Sequence, residues 1–92
     1  MYQILPYTKA KAKRLNVKVL PSTRKGKKID IYDKRGNYLT SIGNKEYLDY
    51  PTYRKLFGQK IANERRRLYK KRHDRTRKVK GSRSYFADQL LW

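Results

Sequence analysis

The densest chemistry in the chain is cationic. From Arg65 to Arg83 there are eleven basic residues and one acid, Asp74. Arg65, Arg66, Arg67, Lys70, Lys71 and Arg72 come first, followed by Arg75, Arg77, Lys78 and Lys80. Each such side chain that meets a phosphate releases a condensed counterion, so this run can bind nucleic acid without recognising a base. Lys25, Lys27 and Lys28 form a second, weaker patch. Tyrosines lie among the cations, which suits backbone contact or stacking on exposed bases. No motif points to base readout: there is no zinc-finger ligand set and no basic zipper, and the predicted helices are not spaced as a helix-turn-helix pair.

Covalent and metal chemistry find little material. Cysteine is absent, which removes disulfides, thiolate zinc sites and cysteine nucleophiles together. The one histidine, His73, lies in the basic run, where its charged form is disfavoured; it reads as structural or phosphate-contacting. The acids Asp30, Asp33, Glu46, Asp49, Glu64, Asp74 and Asp88 show no DxD or ExxE pairing, so two-metal chemistry lacks its ligands. They read as caps and ion-pair partners, and no metal or cofactor is expected. One pattern is similar to the hairpin signature of the GIY-YIG endonucleases: Asp30-Ile31-Tyr32, then Ser41-Ile42-Gly43 after eight residues. In that family the hairpin tyrosines sit near a catalytic Arg and a metal-binding Glu. Tyr32 is kept here, and Arg54 and Glu64 could fill the other two roles. Asp30 replaces the first glycine and Ser41 the second tyrosine, so an ordinary β-hairpin is the simpler reading. The chain is not expected to be an enzyme.

Composition bounds the frame that must position the cations. The chain has 92 residues, with 26 basic and 7 acidic side chains, so its formal charge is +19. That length predicts one small basic domain over 1–92, burying only about 60–65% of its unfolded surface. Self-repulsion at +19 lowers its stability further, and a polyanion or protein partner would offset that. Hydrophobic residues make up only 37%, but nine tyrosines argue against a disordered polybasic tail. No apolar run approaches the roughly 18 residues of a membrane span, and no signal peptide is expected. The predicted partners are nucleic acid, DNA first, and other proteins, without a membrane.

The elements follow from local patterning. Thr8 reads as the N-cap of a short helix over 9–15, with Ala12 and Leu15 facing inward and Asn16 ending it. Strands are predicted at 17–20, 28–32 and 38–42, with Ile29 and Ile31 on one face and a turn at 33–37 around Gly36. Asp49 and Pro51 open a long helix to about residue 72. Its stripe Tyr50, Tyr53, Phe57, Ile61, Glu64 and Leu68 is expected to pack on the sheet. Residues 73–81 lack a core face and read as a basic loop that orders on a partner. Ser82 or Ser84 then caps an apolar docking helix over 84–92. There Phe86, Leu90, Leu91 and Trp92 are expected to dock on this domain or on a neighbour. The fold class is therefore α+β: a short helix, a three-stranded antiparallel meander, a long basic helix on the sheet and a docking helix.

Several segments carry a resemblance. Lys25-Gly26-Lys27-Lys28-Ile29-Asp30, Ser41-Ile42-Gly43, Asp49-Tyr50-Pro51-Thr52-Tyr53, the stretch Arg65 to His73 and Ala87 to Trp92 occur in this order. Together they resemble a family of small basic proteins of large eukaryotic DNA viruses and tailed bacteriophages. The resemblance implies a viral source and a place in the virion, or otherwise inside the infected host. The family carries no established activity, so it assigns no site residues. The resulting expectation is a small viral structural protein that neutralises nucleic-acid phosphate without sequence specificity. A minor capsid or cement protein bound to capsid protein is the alternative. A ribosome-associated role fits the charge equally well.

Overall fold

The computed structural model describes residues 2–92; Met1 lies outside the described residues. The elements run α1 (Pro6–Arg14), β1 (Lys18–Pro21), β2 (Ile29–Tyr32), β3 (Tyr38–Ile42), α2 (Tyr50–Phe57), α3 (Gln59–Arg72) and α4 (Arg83–Leu91). The fold is α+β, as the patterning predicts: an open antiparallel sheet in the order β1-β2-β3, with helices packed on it.

Helix α1 begins two residues before Thr8. Pro6 sits in its first turn, where a missing N–H costs nothing and φ is already helical. Thr8 is therefore not a cap. It is fully buried, and its hydroxyl donates to the Leu90 carbonyl of α4 at 2.8 Å. Asn16 ends the helix as predicted, with φ at 59°, while the Val17 N–H reaches back to the Ala12 carbonyl.

The sheet owes its inner face to three isoleucines. Ile29, Ile31 and Ile42 are fully buried, and alternation along β2 turns Asp30 to the opposite face. The β2–β3 register shifts between Ile31 and Tyr32. The Asp33 carboxylate holds the turn by accepting from the backbone N–H of Arg35 and Asn37. Ala12 of α1 and Phe86, Leu90 and Leu91 of α4 complete the core, joined by Ile4. The apolar helix α4 thus docks on its own domain. Ser82 caps it, accepting from the Tyr85 N–H at 3.1 Å. Gly43 lies where α4 meets the sheet: a Cβ there would come within 2.9 Å of Lys28 Cδ and 3.0 Å of Leu91 Cδ1.

The predicted helix from 50 to 72 is two helices. The break is at Gly58, with φ 93° and ψ 172°, a conformation essentially confined to glycine. After the break α3 packs on α2, and Tyr50 at the start of α2 meets Gln59 and Asn63 of α3. The expected stripe does not form one sheet-packing face. Tyr50 is buried, but Phe57 and Ile61 are 57% and 46% exposed, and Glu64 and Leu68 are exposed as well. The 3.6-residue periodicity assumed one unbroken axis, and the break resets it. Ala62 and Tyr69 are the buried residues of α3. Gly58→Ala should cost about 1–3 kcal/mol, because no side chain is near enough to clash and the whole effect is conformational. Thermal melting should show a lower midpoint; an unchanged one would mean that the corner relaxes freely.

The 73–81 segment, expected to order on a partner, is a succession of turns with bonds of its own. The His73 carbonyl accepts from the N–H of Thr76 and Arg77, and the Ser82 hydroxyl donates to the Val79 carbonyl. Among the described residues no helix is long and apolar enough to cross a membrane.

Candidate nucleic-acid interface

The acids decide which cations are free. Asp49 is 1% exposed and caps α2, accepting from the Thr52 N–H and hydroxyl. It also accepts from Lys28 Nζ at 2.9 Å and the Tyr2 hydroxyl at 2.6 Å. Lys28 is only 5% exposed, so it leaves the predicted second patch and becomes a tie between sheet and α2. Lys25 is exposed and Lys27 half-buried. Asp88, buried in α4, takes Lys70 at 2.8 Å and Arg77 at 4.0 Å. Asp74 takes Arg77 at 2.9 Å and Lys78 at 3.3 Å. Glu64 pairs with Arg67 at 2.7 Å, and the Arg66 guanidinium lies over the Tyr50 ring at 4.1 Å.

Ten cations named from the basic run thus divide in two. Arg67, Lys70, Arg77 and Lys78 have carboxylate partners and Arg66 is half-buried over Tyr50; Arg77 is only 22% exposed, with its Nε buried and unbonded. Arg65, Lys71, Arg72, Arg75 and Lys80 are exposed and have no carboxylate partner among the described residues. Spacing along the chain accounts for part of this division: Glu64–Arg67 and Asp74–Arg77 are three residues apart and Asp74–Lys78 four. The pairing of Lys70, and the second contact of Arg77, depend on where α4 brings Asp88.

The structure also assembles an aromatic groove that no linear motif announces. Tyr69 of α3 lies face to face with Trp92 at 4.4 Å and 7°, and His73 lies against Tyr69 at 4.4 Å. Tyr53 of α2 joins Trp92 at 6.2 Å, with the Arg65 guanidinium over Tyr53. Tyr47 and Leu48 line the same groove, Tyr47 being 68% exposed. Two adjoining cavities of about 330 and 490 Å³ share Tyr47, Leu48, Tyr69, Arg72 and Trp92. Of the four predicted docking residues, Phe86, Leu90 and Leu91 are in the core, while Trp92, with the edge of Leu91, lines a groove.

A second polar cluster lies on the outer face of the sheet. Asp30 Oδ1 accepts from the hydroxyls of Ser22 and Ser41, each at 2.6 Å, and Tyr38 reaches Ser41 at 2.7 Å. The Arg24 guanidinium lies over the Tyr38 ring at 4.6 Å. The positions that suggest a nuclease hairpin have separate partners. Tyr32 packs on Tyr38, Arg54 lies over Tyr7 and Tyr50, and Glu64 pairs with Arg67. Among the described residues no group of three or more His, Asp or Glu side chains is placed to hold a metal ion.

Ionisation follows these contacts. Burial opposes ionisation of Asp30, but the two hydroxyl bonds and the Arg24 charge outweigh it and hold the carboxyl below its ordinary value. Lys78 and Arg77 do the same for Asp74. Burial, aided by Arg72, pushes His73 down, and burial pushes the Tyr69 phenol up to about 12. Burial and the Asp49 carboxylate raise Tyr2 as well. The signs agree on the acid side. The unfolded chain takes up protons at His73 and then at the aspartates at higher pH than the fold does, so stability falls as pH drops below about 6.5 and again below about 4. On the alkaline side the fold keeps the Tyr69 and Tyr2 protons while the unfolded chain loses them near 10, so stability falls again above that. Thermal midpoints across pH 3–11 should trace this plateau. A midpoint that rises on acidification would contradict it.

No family model matches the chain, and no curated protein or solved structure matches it either.

Proposed function

We propose that the chain is a non-enzymatic basic protein that binds nucleic-acid phosphates without reading sequence, with DNA as the first partner. The observation that carries this reading is the pairing pattern. Arg65, Lys71, Arg72, Arg75 and Lys80 stay exposed and without carboxylate partners among the described residues, in a chain of formal charge +19. Such an array recruits a polyanion by counterion release and needs no base contact. The virion setting, as a small structural protein at the packaged genome, rests on the motif resemblance alone. The test is affinity for two unrelated duplexes as a function of salt. A steep common slope supports the reading, and weak or salt-independent binding overturns it.

One observation favours a second reading, a minor capsid or cement protein. Leu56, Phe57 and Ile61 are exposed together at the α2–α3 corner. An apolar patch flanked along the chain by exposed Lys55 and Lys60 fits an acidic protein surface. This corner, and not Phe86, Leu90 or Leu91, is where a capsid partner would dock. Loss of the protein from a particle together with its genome favours the first reading. Retention on an emptied shell favours the second.

A further inference from the structure

We infer that the groove between Tyr47 and the Tyr69–Trp92 stack holds unpaired bases of a single-stranded nucleic acid, with Arg65, Arg72 and Arg83 taking its phosphates. This rests on the phosphate-binding reading and adds a strand preference to it.

Three observations meet at this place. The first is aromatic surface: half-buried Trp92, backed at 7° by the buried Tyr69, and Tyr47, 68% exposed, line the same cavities. A ring left that far in solvent suits contact with another flat, apolar group. The second is room. The adjoining cavities of about 330 and 490 Å³ fall in the roughly 300–1,000 Å³ range of small-ligand sites. The third is charge. Arg65, Arg72 and Arg83 border the cavities and are exposed without carboxylate partners among the described residues. The one side-chain carboxylate in the lining, Asp49, is occupied by Lys28. Aromatic platforms beside unpaired guanidinium groups are the means by which single strands are held without sequence preference, since every base has a π-face. In a duplex those faces are already stacked, so a duplex can use the cations but not the groove.

Trp92 is the sole tryptophan of the chain, so its emission reports the groove directly. The full chain would be titrated at one salt concentration with oligothymidine, with a matched duplex and with polyphosphate. Oligothymidine should change Trp92 emission saturably; the duplex and polyphosphate should bind with little change. Tyr47→Ser alters an exposed side chain and should leave the melting midpoint and duplex affinity alone, while weakening oligothymidine roughly 5- to 150-fold. Oligothymidine binding that leaves both Trp92 emission and the Tyr47→Ser affinity unmoved would overturn the groove and leave the phosphate reading standing. Equal emission change with polyphosphate would also remove the stacking argument. Failure of all three ligands to bind would remove both readings.

Discussion

Asp49→Ala should leave the chain close to unfolded at room temperature. The substitution removes the acceptor for Lys28, Tyr2 and the first turn of α2 at once. Breaking a buried ion pair from one side costs about 3–5 kcal/mol, because the remaining charge stays buried and unpaired, and loss of an N-cap adds about 1. Stability of roughly 0.05–0.15 kcal/mol per residue gives about 5 to 14 kcal/mol for 92 residues. Self-repulsion at +19 places this chain toward the lower end. The thermal midpoint should fall by roughly 15–50 °C, taking 4–8 °C per kcal/mol for a domain of this size. A cycle isolates the pair. Asp49→Asn keeps an acceptor for the cap, and Lys28→Met removes the cation while keeping the apolar stem. The double variant should be more stable than the sum of the single losses predicts. A loss under 5 °C for Asp49→Ala, or additive losses in the cycle, would show that Asp49 does not tie sheet to helix in the way argued.

The second large effect concerns binding. Contact of Arg65, Lys71, Arg72, Arg75 and Lys80 with phosphates should give log K against log salt a slope of about −4.5, at 0.9 per contact on duplex DNA. Affinity should then drop about 500-fold between 50 and 200 mM salt. Replacing all five by Ala should flatten the slope to the part left by Lys25, Lys27, Arg83, the paired cations and the other exposed cations outside the run. The internally paired cations should behave differently. Lys70→Ala and Arg77→Ala leave Asp88 buried with fewer partners, so they should lower the melting midpoint more than they lower duplex affinity. A slope near −1 for the parent protein, or a five-residue variant with the parent's slope, would show that the exposed set is not the contact surface.

The division between these two groups is where sequence reasoning stops. Strand positions, the turn at Asp33–Asn37, the end of α1 at Asn16, the cap Asp49 and, as one of two candidates, the cap Ser82 are legible in the chain. Each rests on local rules: β-branched alternation, a short polar side chain bonding nearby N–H groups, or a residue tolerant of positive φ. The Gly58 break is not legible in the same way. A helical glycine costs only about 1 kcal/mol against Ala, so propensity alone leaves the helix unbroken. The break appears because Tyr50 finds Gln59 and Asn63 once α3 turns back. The candidate site divides likewise. The surplus of cations is a matter of counting, and composition alone points it at a polyanion. Nothing local tells buried Lys28 from exposed Lys25, or tethered Lys70 from free Lys71. Those fates depend on Asp49 and Asp88, which lie 21 residues from Lys28 and 18 from Lys70 along the chain. The same holds for the groove, whose aromatic rings come from α2, α3 and the end of the chain. Charge is a property of composition, whereas pairing and stacking are properties of distance, and only the folded chain sets distance.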